Sequence, residues 1–152
     1  MNFIIDSHED LAWNMATFQR DYTRSVMETR LLEQNSIASQ DNGECMLGWP
    51  EYQQGHVAIV FATLFASPLR KKKHAWSSQD YDSSSQAEIL YKNQLDLYHR
   101  LVNDHPDKFK MILTKSDLDL HMKGWLTAEK MLLMAVSFQG DMQLLGAQLL
   151  SL

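Results

Sequence analysis

The sequence predicts a parallel α/β architecture, and three observations point there. Two apolar runs, 56–66 and 131–138, are rich in β-formers and lack polar alternation, as strands buried on both faces do. A third segment, 84–103, repeats its apolar residues at spacings of three and four, the mark of an amphipathic helix. Strand-like and helix-like segments alternate along the chain without hairpin signals between them, which favours β/α units joined by right-handed crossovers.

The elements follow in order. Phe3-Ile4-Ile5 opens a short strand that runs into Asp6-Ser7-His8-Glu9-Asp10-Leu11. Leu11 to Met15, with Trp13, reads as a short helix or an irregular loop, and Thr17 to Arg30 carries Tyr22, Val26 and Met27 at helical intervals. Glu33 to Gly48 is polar and contains the turn pair Asn42-Gly43, so a loop is expected. Trp49 to Gly55 leads into the strand His56 to Ala66, which Ser67-Pro68 closes. Arg70-Lys71-Lys72-Lys73-His74 then offers a possible phosphate patch, though such a charge run suits a solvated surface loop.

In the next segment Ala87, Leu90, Tyr91, Gln94, Leu97, Tyr98, Leu101 and Val102 form one helical stripe, with Ser84 or Ser85 as cap and Pro106 beyond the end. Phe109 to Leu113 is a short strand. Ser116 to His121 starts a helix that Gly124 should interrupt, and Met131 to Phe138 is the last strand.

Composition limits the function classes. A chain of 152 residues, 45% hydrophobic and 22% charged, fits one compact domain with a real core. A net charge of −5 argues against a general nucleic-acid binder. The single cysteine, Cys45, has no internal disulfide partner, and a reducing, cytoplasmic setting is the simplest expectation. The opening apolar run is too short for a signal peptide, and Val57 to Ala66 is about half the ~20 residues a spanning helix needs.

The chemistry concentrates at the end of the first strand. In an extended chain Asp6, His8 and Asp10 share one face. An imidazole and carboxylates at that spacing can converge on a cation of the zinc type; the same groups also suit a polar strand end that hydrogen-bonds locally. His56 and His99 read as structural, and His74, His105 and His121 as solvated loop residues. The Trp and Met residues read as packing. A doubly wound nucleotide-binding domain would need a Gly-rich loop after the first strand, which Ser7-His8-Glu9-Asp10 is not.

Several stretches resemble the membrane (renal) dipeptidases, zinc-dependent barrels of the amidohydrolase type. Asp6-Ser7-His8-Glu9-Asp10-Leu11 is similar to the family's Asp-Gly-His-Asn-Asp-Leu signature at the end of the first barrel strand. Pro50, Gly55 and Val57 to Phe65 resemble its second strand and the approach to it; Gln94 to Phe109 resembles the helix before its third strand, and Thr114 to Asp119 the short element that follows. Ala135 to Asp141 looks like the strand that ends in a Glu-Gly pair, so the likeness spans residues 3 to 143.

The resemblance implies a partial (β/α)₈ TIM-type barrel, its N-terminal β/α units only, in one incomplete hydrolase domain over residues 1–152. A complete barrel takes about 250 residues. His8 and Asp10 would ligate the first of two zinc ions, and Gln139 stands where the family has a carboxylate bridging both. An amide brings no charge to separate two cations. The implied activity is hydrolysis of a dipeptide by a metal-held hydroxide. The family's second-metal histidines and acid/base aspartate come from later strands, and no histidine follows His121. A truncated or frameshifted product, or a fragment, with little activity of its own is therefore expected. The alternative is a non-catalytic module whose barrel another chain completes, prone to self-association through its open edge.

Overall fold

The computed structural model describes residues 3–125 and 132–138. Its centre is a four-stranded parallel sheet in the order β1-β2-β6-β5. The strands are β1 (Ile4–Glu9), β2 (Val57–Leu64), β5 (Phe109–Met111) and β6 (Leu132–Phe138). A second, two-stranded parallel pair, β3 (Ser67–Pro68) with β4 (Asp80–Tyr81), lies beyond the end of β2. The helices are α1 (Leu11–Phe18), α2 (Val26–Leu32), α3 (Trp49–Gln54), α4 (Ser84–Asp104) and α5 (Lys115–Trp125). Mixed α/β architecture with parallel sheets is thus established.

The strand order departs from chain order. A barrel sets strands side by side as they occur in sequence, which would place Phe109–Met111 beside β2. Instead β6 pairs with β2 over six residues, Ile59↔Leu133 to Leu64↔Phe138, and β5 sits outside it, paired only with the start of β6. The interior position gives β6 partners on both sides over residues 133–134, and the three-residue β5 leaves few backbone groups without a strand partner at its edge.

Local sequence accounts for most boundaries. β2 is buried along almost its whole length, as its unalternating composition predicts. The segment 17–30 is not one helix. Gln19 ends α1 in the left-handed region, φ 59°, and Ser25 opens α2 with a capping box in which its hydroxyl accepts from Glu28 N–H and the Glu28 carboxylate accepts from Ser25 N–H. The expected loop 33–48 holds a single π turn, Ala38–Asn42. Trp49–Gln54, expected only as an approach to the strand, is a helix with Pro50 in its first turn. Its start needs Gly48, because a Cβ there would lie 2.4 Å from Arg24 O. Gly124 does not interrupt α5, which continues to Trp125.

The core forms in two parts. Leu11, Tyr52, Val60, Leu64, Tyr98, Leu101, Phe109 and Met134 join α1, α3 and α4 to the sheet. Ala58, Ile59 and Trp125 form a smaller cluster beneath α5. The predicted stripe of α4 is the buried one, with Ala87, Gln94, Tyr98 and Leu101 inward. His121 corrects the solvated reading: it is buried, its Nε2–H donates to Ala58 O at 3.0 Å, and burial lowers its pKa. His56 and His99 are exposed rather than built into the core. No helix among the described residues is long and apolar enough to cross a membrane.

Candidate functional site at the end of the first strand

All four strands of the main sheet are parallel, so their carboxyl ends share one edge, the usual place for a site in α/β folds. β1 reaches that edge through a bulge. Asp6 pairs with Val60 and Glu9 with Ala62, so three steps along β1 match two along β2. The extra residue breaks strict alternation and re-aims the side chains that follow. His8 Nε2 nonetheless lies 3.5 Å from Asp10 Oδ2, with both side chains partly exposed. Asp6 is directed elsewhere, its Oδ1 accepting from the His8 backbone N–H at 2.9 Å. Of the three residues predicted to share a face, His8 and Asp10 meet, and Asp6 supports the backbone of His8.

Behind this pair is a network that the sequence does not announce. Glu9 is buried, 5% exposed, and its Oε2 accepts a 2.6 Å hydrogen bond from Tyr52 on α3. Burial pushes its pKa up to about 7; the Tyr52 bond pulls the other way, and the Asp6 charge adds to the rise. Tyr52 itself is raised well above the usual phenol range by burial and by Glu9. Thr63 on β2 hydrogen-bonds both Glu9 O and Asp10 Oδ1. Tyr98 on α4 donates to Thr63 O at 2.8 Å and accepts from Ala12 N–H at 3.1 Å. Asn14 donates to Asp10 O at 2.9 Å, and its own carbonyl accepts from Arg20. The ends of β1 and β2 are thereby tied to α1, α3 and α4.

No family model, curated protein or solved structure matches the chain. The chemistry open to the site is set by its own donors. Among the described residues no group of three or more His, Cys, Asp or Glu side chains is placed to hold a metal ion. His8 and Asp10 supply one nitrogen and one oxygen donor, whereas catalytic zinc takes three protein ligands. Gln139, the third predicted ligand, lies outside the described residues. The described residues therefore do not fit a complete zinc site.

The hydrogen bonds of Glu9, Tyr52, Thr63 and Tyr98 escape sequence reasoning because each joins distant parts of the chain; Tyr98 is legible only as a member of the α4 stripe. The one available signal is that Glu9 stands inside the acidic cluster, where its intervening position suggests the opposite face. Gln94 is visible in the sequence only as a member of the α4 stripe. It is fully buried and acts as a surrogate strand: its Oε1 accepts from Phe65 N–H at 2.8 Å, and its Nε2 donates to Phe65 O at 2.6 Å and to Gln79 Oε1 at 3.0 Å. This fixes the chain where it leaves β2 for the loop beyond.

Proposed function

We propose that the chain carries one half of a dipeptidase-like metallohydrolase site, at the carboxyl edge of its parallel sheet, with His8 and Asp10 as its donors to a divalent cation of the zinc type. The observation that supports this reading is the His8–Asp10 pair at the carboxyl end of a parallel strand, 3.5 Å apart and open to solvent. The buried Glu9–Tyr52 bond and the Thr63 hydroxyl hold that pair in place. The activity such a site would serve is dipeptide hydrolysis, in the cytoplasm, and two donors give weak metal retention and little turnover. Incubating the purified chain with alanyl-alanine and zinc chloride, with ninhydrin detection of free alanine, tests this. Release at no more than the rate of a His8→Ala variant is expected. Turnover at ordinary enzyme rates, about 1–10³ s⁻¹, would overturn the half-site reading.

A second reading, an interaction module completed by another chain, is favoured by β1. Among the described residues it is an edge strand, with Ile4 51% and Ile5 50% exposed, in a sheet whose interior strand β2 is buried. An unpaired apolar edge is a template for a further strand. Light scattering after gel filtration separates the cases: a monomer at micromolar concentration supports the hydrolase half-site alone, and an oligomer dispersed by Ile5→Lys supports the module.

A further inference from the structure

The loop between β3 and β4 combines features that surface loops seldom share. Its ends are pinned together by Ser67 N–H donating to Gln79 O at 2.9 Å and by the Ser67↔Asp80 and Pro68↔Tyr81 pairing. Its interior is tied down as well. Trp76 Nε1–H donates to Asp41 Oδ2 at 2.8 Å, and Ser78 and Thr17 hydroxyls lie 3.4 Å apart. The Trp76 ring stacks on His74 at 5.0 Å and is crowded by Phe18 and Trp13. Lys72 is internal to the loop, donating to Ser77 O at 2.8 Å and facing Asp80 at 3.5 Å.

What remains is a strip of free charge. Arg70, Lys71 and Lys73 are exposed and have no hydrogen bond or ion pair among the described residues. Arg20, Arg24, Arg30, Lys92, Lys108 and Lys115 are, by contrast, each ion-paired; Arg100 on α4 and Lys110 on β5 also lack such partners among the described residues, but each stands singly, whereas Arg70, Lys71 and Lys73 fall within four positions of one loop. In a chain of net charge −5, three cations on one anchored loop, unpaired among the described residues, make a local field of the opposite sign. Beside them lies a groove of about 510 Å³ lined by Pro68, Leu69, Arg70, Tyr81 and Asp82. The loop leaves β2 at its carboxyl end and is fastened to α1, the helix that begins one residue after Asp10.

We propose that Arg70, Lys71 and Lys73, with the adjoining groove, form a docking strip for an acidic polypeptide segment carrying an apolar side chain. The cations follow one another along an exposed backbone, which matches a ligand that is itself a chain of carboxylates. Leu69 and Tyr81, which line the groove, give its apolar residue a seat, and the Asp82 carboxylate in the same lining repels acidic side chains and leaves them to Arg70 and the lysines beyond it. A nucleic acid is the weaker match, because single-strand binding uses open aromatic faces and Trp76 is committed to His74 and Phe18. A membrane surface is weaker too, since Leu69 is the one large apolar residue between 69 and 78 that is exposed.

Fluorescence anisotropy with a fluorescein-labelled Glu-Glu-Leu-Glu-Glu-Glu peptide at low salt tests the proposal, and its readout is independent of metal and turnover. Saturable binding is expected, weakened about tenfold when Arg70→Ser, Lys71→Ser and Lys73→Ser are combined and three exposed charge contacts are lost together. A variant combining Lys71→Arg with Lys73→Arg keeps the charge and should bind as the parent does. Equal binding by the neutralised variant, equal binding of the all-glutamine analogue, or tighter binding of oligothymidylate would each overturn it.

Discussion

The Glu9→Gln substitution tests the site network where its energetics are largest. Glu9 is 5% exposed, and its pKa rises from 4.5 to about 7. The folded chain therefore holds this proton more tightly than the unfolded chain, so between those two values folding takes up protons. The resulting stabilisation is fully present below pH 4.5 and is lost as pH rises through 7. At about 1.36 kcal/mol for each tenfold change in proton affinity, the loss amounts to about 3 kcal/mol. Glutamine keeps a carbonyl oxygen for the Tyr52 hydroxyl and cannot ionise. Urea unfolding followed by circular dichroism, at intervals from about pH 4.5 to 8.5, should show the parent losing up to about 3 kcal/mol relative to Glu9→Gln across that window. The variant should be the more stable protein at the alkaline end. A constant difference between the two proteins over the whole range would refute the reasoning, because it would mean that Glu9 is not held in a desolvated pocket.

Three further outcomes follow from the same structure. Gln94→Leu removes the partners of Phe65 N–H and Phe65 O and leaves Gln79 Oε1 unpaired, so urea unfolding should show a loss of about 2–4 kcal/mol. Arg20 and Glu33 form a buried ion pair at 2.7 Å; Arg20→Met alone should cost about 3 kcal/mol in the same assay, and adding Glu33→Leu should recover most of that loss, because no uncompensated charge remains. His121 has a lowered pKa, so its contribution is present above the ordinary histidine range and is lost as pH falls below it. Thermal melts of His121→Gln, which still offers a donor to Ala58 O, should lose less stability than the parent between about pH 7 and 5.

What is legible in the sequence is what depends on near neighbours. β2 and α4 can be read because long uniform patterns outvote single residues, and the contact of His8 with Asp10 because the two stand only two positions apart at one strand end. The split between α1 and α2 is hidden because Gln19 and Ser25 act through a left-handed turn and a cap, which leave the apolar spacing of 17–30 unchanged. The strand order is hidden because pairing between distant strands is a property of the assembled sheet, and nothing local to 109–111 or 132–138 states which of them lies beside β2. Glu9 escapes notice for the same kind of reason. Its burial is produced by a bulge in β1 together with a tyrosine 43 positions later, and no local periodicity encodes that contact. The cationic loop is legible as charge, while its anchoring through Trp76 and Lys72, and the lack of partners for its other cations among the described residues, emerge only in three dimensions.

Isothermal titration of zinc into the chain tests the half-site most directly. One weak site is predicted, abolished by His8→Ala and by Asp10→Ala and retained in Asp6→Asn. Zinc affinity unchanged in both the His8 and Asp10 variants would contradict the assignment of this pair as the metal-binding donors.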